Sequence, residues 1–255
     1  MTLYCGTLWW HPAESNLLQV KLDEGSAVDH WVICEGTCTF RGHARAISPP
    51  HMPSHISWSH VVADNSTVKG DSTRSGRRRN AIQRDATLLS LSLAPDDVFV
   101  FCDLDEIIHH CDWPLLVDAA LEDGYVTLSM RNYYGKINLL APKRWNAVFA
   151  VSGNFLNEHP RLTANALRYD RRRLCAVPSI SIVGKHFGWL YPGEDKSFWD
   201  VKSTHNSRAN AQATTRARLD RGCTPGGQPL TKVPVDLTYP CKMRNDVTTW
   251  WRYMA

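Results

Sequence analysis

Residues 93–107 read LAPDDVFVFCDLDEI, and this stretch decides how the rest of the chain is laid out. Val98-Phe-Val-Phe101 is a continuous apolar run between turn-forming residues, the pattern of a central strand buried on both faces. The acidic tetrad Asp103-Leu104-Asp105-Glu106 follows it at once, so the strand delivers three carboxylates to its carboxyl end. In an extended segment alternate side chains share a face, which predicts Asp103 and Asp105 on one side and Leu104 in the core. Two carboxylates in one small volume repel unless a divalent cation takes both as hard oxygen ligands. A diphosphate, as in a sugar nucleotide, supplies further oxygens, and the ion offsets the charge that develops on such a leaving group. A glycosidase also uses two carboxylates but needs them on opposite sides of a bond, which adjacent acids at one strand end do not provide. The bland alternative is a helix first turn, where acids are favoured, and Glu106 suits that role.

Working outward, Trp31-Val-Ile-Cys34 reads as a second buried strand ending in Glu35-Gly36, preceded by a helical segment near Asn16–Leu22. Residues 41–75 carry Pro49, Pro50 and Pro53 and read as loops with one short strand at His60–Val62. Asn80–Leu93 returns to helical spacing and stops at Ala94-Pro95-Asp96-Asp97. Beyond the tetrad, a helix over Trp113–Leu121 and a strand over Tyr125–Met130 complete a β-α-β passage, and 145–151 and 178–183 read as β elements. This alternation predicts an α/β fold with a mostly parallel sheet flanked by helices and a site at the carboxyl ends of its strands.

The chain has 255 residues, 43% hydrophobic and 21% charged, which predicts one folded domain over 1–255 and excludes wholesale disorder. No apolar stretch spans a bilayer and no secretory leader is evident at the N-terminus, so the expectation is a cytoplasmic protein without a membrane span. The eight cysteines include no C-x-x-C pair and read as reduced thiols. His109-His110-Cys111 is a metal candidate, set aside because adjacent side chains on a helix diverge. The net charge of +4 and the runs Arg77-Arg78-Arg79 and Arg171-Arg172-Arg173 permit a polyanionic partner without requiring one.

Several separated blocks resemble the family 17 glycosyltransferases, the group that includes the β-1,4-N-acetylglucosaminyltransferases making bisecting GlcNAc. They are the leucine-rich segment from Asn16 through VDHWVICEGT to Gly42, Gln83-Arg84-Asp85 followed by DDVFVFCDLDEI, and Tyr133-Tyr134 with Asn138. Lys185-His186-Phe187-Gly188-Trp189 and Lys202-Ser-Thr-His205 complete the set. Coverage is residues 14–206, with 207–255 a variable remainder. Lys185, Gly188 and the short Lys202–His205 spacing depart from the family pattern. The resemblance implies a GT-A type α/β fold, a divalent metal (Mn2+ or Mg2+), a UDP-sugar donor and inversion at the anomeric carbon.

Carried onto this chain, the resemblance makes Asp103, Asp105 and His205 the metal ligands. The expected donor contacts are Asp103, Glu106, which binds the donor sugar or orients the loop, and His186 and Trp189 as the site floor unless Trp189 is core. From their positions, Glu35 meets uridine or ribose or caps the next turn, and Arg84 pairs with phosphate or with Asp97. Glu194 and Asp195 are the candidate bases for the acceptor hydroxyl. The expected acceptor is a glycan. Two alternatives are a modified base in phage or viral DNA, reached through the arginine runs, and a non-enzymatic basic nucleic-acid-binding domain with stacking aromatics.

Overall fold

The computed structural model describes residues 1–10, 14–169, 179–188, 217–224, 227–246, 250 and 254. In chain order the elements are β1 (Leu3–Leu8), α1 (Ser15–Glu24), β2 (His30–Gly36), β3 (Trp58–Ala63), α2 (Thr73–Leu89), β4 (Val98–Phe101), β5 (Glu106–Ile107) and α3 (Trp113–Asp123). There follow β6 (Tyr125–Tyr134), β7 (Leu139–Leu140), β8 (Trp145–Ser152), α4 (Gly153–Glu158), α5 (Ala164–Tyr169), β9 (Ser179–Gly188), β10 (Thr231–Lys232) and α6 (Cys241–Asn245).

The expected mostly parallel, GT-A type sheet is not what forms. The strands lie in the order β10-β7-β6-β8-β4-β1-β2-β3, with β9 beside β6 and β5 beside β9, in one mixed sheet. One half, β3-β2-β1-β4, is parallel, as is the β6–β9 pair. The pairs β4–β8, β6–β8, β6–β7, β7–β10 and β5–β9 are antiparallel. The cause lies in the connections. A parallel return needs a crossover of a dozen or more residues, usually helical. Residues 135–144 between β6 and β8 hold only the two-residue β7, so β8 comes back antiparallel and inserts between β6 and β4.

The sheet is covered on both faces. Along β4, Val98 and Val100 join Cys5, Trp31, Val126 and Val148 under Leu18 and Leu22 of α1 and Trp113 and Leu116 of α3. Phe99 and Phe101 point the other way and pack with Phe149 and Val151 beneath Leu88 of α2 and Leu167 of α5. Burying each such side chain contributes about 1.5–3 kcal/mol. This is the two-sided burial that the VFVF run predicts.

The central strand β1 has no counterpart in the sequence reading. It is short, and Gly6 breaks its apolar run, yet Gly6 is what seats it. A Cβ there would stand 2.9 Å from the Phe99 ring and 2.9 Å from Thr87 Oγ1, so only glycine lets β1 lie beside β4 beneath α2. Among the described residues no helix is long and apolar enough to cross a membrane, and seven cysteines are free thiols.

Candidate functional site

The strand directions bring the carboxyl ends of β1, β4, β6 and β9 and the amino end of β8 to one edge of the sheet. An open cleft of about 260 Å3 lies there. Leu8 ends β1 and Trp10 follows it, Asp103, Leu104 and Asp105 follow β4, and Asn80 and Arg84 reach in from α2. Tyr134, Trp145, Tyr169, His186 and Gly188 close the opposite wall. The cleft thus lies at the carboxyl ends of the parallel strands even though the sheet is mixed.

The acidic tetrad is a tight turn rather than a continued strand. Glu106 N donates to Asp103 O at 2.9 Å, with Leu104 and Asp105 at the corner. Strand alternation therefore does not orient the two aspartates, and each carboxylate meets different surroundings. Asp103 Oδ2 accepts from Arg168 at 2.8 Å and Arg84 at 3.1 Å. Burial opposes ionisation of Asp103, but Arg168 and Arg84 outweigh it and hold the carboxyl well below the usual carboxylate range. Its Oδ1 is buried without a hydrogen-bond partner. Arg84 thus pairs with Asp103, not with Asp97, whose carboxylate accepts from the backbone N–H groups of Thr2 and Ala94.

Glu106 is fully buried. Its Oε2 accepts from Asp103 N at 2.6 Å and Arg168 at 3.1 Å, and its Oε1 accepts from Arg168 at 2.6 Å and from the Trp145 indole. With both oxygens engaged it anchors the turn, the loop-orienting one of the two roles the sequence offers it. Beneath the turn, buried Lys21 donates to Asp103 O at 2.9 Å and to Glu106 O at 2.5 Å. The guanidinium groups of Arg84 and Arg168 pack 5.3 and 5.4 Å from the Tyr169 ring centroid.

Asp105 is left at the cleft mouth, partly exposed, with Oδ2 3.9 Å from His186 Nε2. His186 Nδ1 lies 2.7 Å from Asn132 Oδ1, which makes Nδ1 the donor and leaves the Nε2 lone pair toward Asp105. Burial pushes the imidazole below the ordinary histidine value, against the pull of Asp105, so it is neutral near neutral pH. Its ring stacks on Trp145 at 4.1 Å and 12°. Gly188 makes this possible, since a Cβ there would approach the His186 ring to 2.8 Å.

Of the residues expected to bind donor or metal, the structure brings together Arg84, Asp103, Asp105, Glu106 and His186. Glu35 does not join them. It is fully buried at the end of β2, where its carboxylate accepts from Arg45 and from Ser48 N at 3.1 Å and lies 3.2 Å from His60. It ties down the following loop instead. Trp189, Glu194, Asp195 and His205, with Arg171 to Arg173, lie outside the described residues. Arg79 of the first arginine run is buried and donates to the backbone carbonyls of Phe40, Val68 and Gly70, so it is no part of a basic surface. Sequence reasoning missed Arg168, Lys21, Asn132 and Trp145. The one signal for the two cations was charge balance, because three clustered acids behind a buried strand require partners.

The donor types in the cleft suit a divalent ion. Asp103 offers an unpartnered oxygen, and Asp105 and the Nε2 of a neutral imidazole face the same cleft. Among the described residues the ligand atoms of these three do not close to within 4.8 Å of one another, as those of Glu24, His109 and His110 do, so bound substrate oxygens would make up the remaining coordination in the cleft.

No family model matches the chain, and no curated protein matches it. Among solved structures it is similar to Rv0371C of Mycobacterium tuberculosis H37Rv in complex with manganese. The two share 12% identity over 80% of this chain and 96% of that one, with a TM-score of 0.38, a likeness too slight to carry an argument.

Proposed function

We propose that the cleft is the donor site of a metal-dependent, inverting glycosyltransferase that moves a hexose or N-acetylhexosamine from a UDP-sugar to a hydroxyl of a glycan, as the family 17 resemblance implies. The observation that carries this reading is the division of labour within the tetrad. Glu106 is fully consumed, whereas Asp105 and Asp103 Oδ1 keep lone pairs for an ion. Charge supports it. Asp103, Asp105 and Glu106 are matched by Lys21, Arg84 and Arg168, so an ion and a nucleoside diphosphate enter together at little net cost. A divalent ion held there supplies neutralisation of the charge building on the leaving diphosphate. Arg84 sits where it can reach a phosphate oxygen, and the Tyr134 ring lines the same cleft as a stacking surface for base or sugar.

The test is Mn2+-dependent binding and hydrolysis across a UDP-sugar panel, in wild type and Asp105→Ala. Loss of both in the variant is expected. Undiminished donor turnover would refute the metal assignment.

A second reading keeps the donor and changes the acceptor to a modified DNA base. Arg74, Arg77 and Arg78 are exposed on α2, the helix that also presents Asn80 and Arg84 to the cleft. Salt-sensitive DNA binding would favour it, and no binding at low salt would exclude it.

A further inference from the structure

Adjacent histidines at the start of a helix point apart, which is why His109-His110 looks unpromising in the sequence. The chain here is not α-helical. His109 is extended, with φ −72° and ψ 145°, and it precedes a short 3-10 turn over His110–Asp112. The two imidazoles consequently lie one over the other, with centroids 4.2 Å apart. Glu24, the last residue of α1, meets them from a separate element. Its Oε2 is 3.1 Å from His110 Nδ1 and accepts from His110 N at 2.9 Å, while Oε1 accepts from Cys241 N of α6 at 3.1 Å. The carboxylate is thereby fixed in direction before any ligand arrives. One ligand atom from each of Glu24, His109 and His110 lies within 4.8 Å of the other two.

We propose that Glu24, His109 and His110 form a second metal site, separate from the cleft, selective for a late first-row divalent ion of the Zn2+ class. A tetrahedral Zn2+ with bonds of roughly 2.0–2.1 Å spaces its nitrogen and oxygen ligands about 3.3 Å apart. Oε2 and Nδ1 already stand at that spacing, and a small side-chain rotation brings in the third ligand. Two imidazoles and one carboxylate favour Zn2+ over the hard ions suited to the oxygen-rich cleft. Cys111 Sγ, 3.0 Å from His109 Nδ1, holds that ring in place. Glu24 and His109 are buried while His110 is exposed, so the fourth position opens to solvent. An ion here pins the end of α1 to the segment three residues beyond Glu106, and through Glu24 to the start of α6.

The test is titration of the chelator-treated full chain with Co2+, followed by competition with Zn2+. One Co2+ per chain with the visible bands of tetrahedral cobalt, displaced by Zn2+, is expected. His109→Ala/His110→Ala should weaken binding by more than about 100-fold, beyond the 10- to 100-fold typical of losing an outer hydrogen-bond partner. Glu24→Gln, which keeps the shape of the side chain, should also weaken it, and circular dichroism verifies that each variant folds. Asp105→Ala should leave the cobalt bands intact, which separates this site from the cleft. The proposal is overturned by an absence of bands in wild type, by unchanged affinity in the folded histidine variant, or by their loss in Asp105→Ala.

Discussion

The carboxyl ends of β2 and β4 both deliver acidic residues to the same edge of the sheet, with opposite outcomes. At β2 a single carboxylate, Glu35, accepts from Arg45 and Ser48 N, with His60 3.2 Å away, in closing the loop that follows. At β4 three carboxylates share one turn. Two of them, Asp103 and Glu106, take the arginines that fix the turn, and Asp105 is left facing the cleft. A strand-end acid therefore becomes available for chemistry when its neighbours have already met the structural demand.

The strongest way to break this contrast is Arg168→Ala. Arg168 is buried against both Glu106 and Asp103, and removing it strands a fully buried carboxylate. A loss of about 3–5 kcal/mol in urea unfolding is expected, and a cost under 1 kcal/mol would contradict the anchoring role. The same ion pair sets an acid limb. Because the folded-state pKa of Asp103 is depressed, the stability it contributes is present above the ordinary carboxylate value, about 3.9, and drains away as the pH falls below it. Asp103→Asn should flatten that part of the stability–pH curve.

Glu35→Ala sharpens the comparison from the other side. It leaves Arg45 and Ser48 N without their acceptor, so about 1–3 kcal/mol should be lost. Mn2+-dependent UDP-sugar binding should survive at the wild-type midpoint. Ser72 caps α2 by accepting from Ser75 N at 3.1 Å, and Ser72→Ala should cost about 1 kcal/mol in thermal unfolding. The smallest effect on stability is expected for Asp105→Ala, within about 0.5 kcal/mol. A large destabilisation there would mean that Asp105 belongs with Glu35 after all.

Much of this region is legible in the sequence because its signals are local. VFVF gives a strand buried on both faces, and the tetrad gives acids at its carboxyl end. The turn at Leu104-Asp105 is not legible, since the side chains that brace it, Lys21, Arg168 and Trp145, are scattered across the chain. The antiparallel insertion of β8 follows from a short connection whose importance shows only when the neighbouring strands are placed. The convergence of His109 and His110 on Glu24 is hidden for a related reason. Adjacency in sequence was read with helical geometry, and the backbone there is extended.

The position of β1 has a consequence for how the chain folds. Its partners are unequal in sequence distance, because Tyr4 pairs with His30 on one side and with Phe99 on the other. β6 and β8 meet over a far shorter separation, as in the pairing of Val126 with Ala150. Closing the longer loop costs more chain entropy, and non-local pairings form late. β1 therefore keeps one open edge until residues 98–101 exist, and the part of the cleft that β1 and β4 build waits for that pairing.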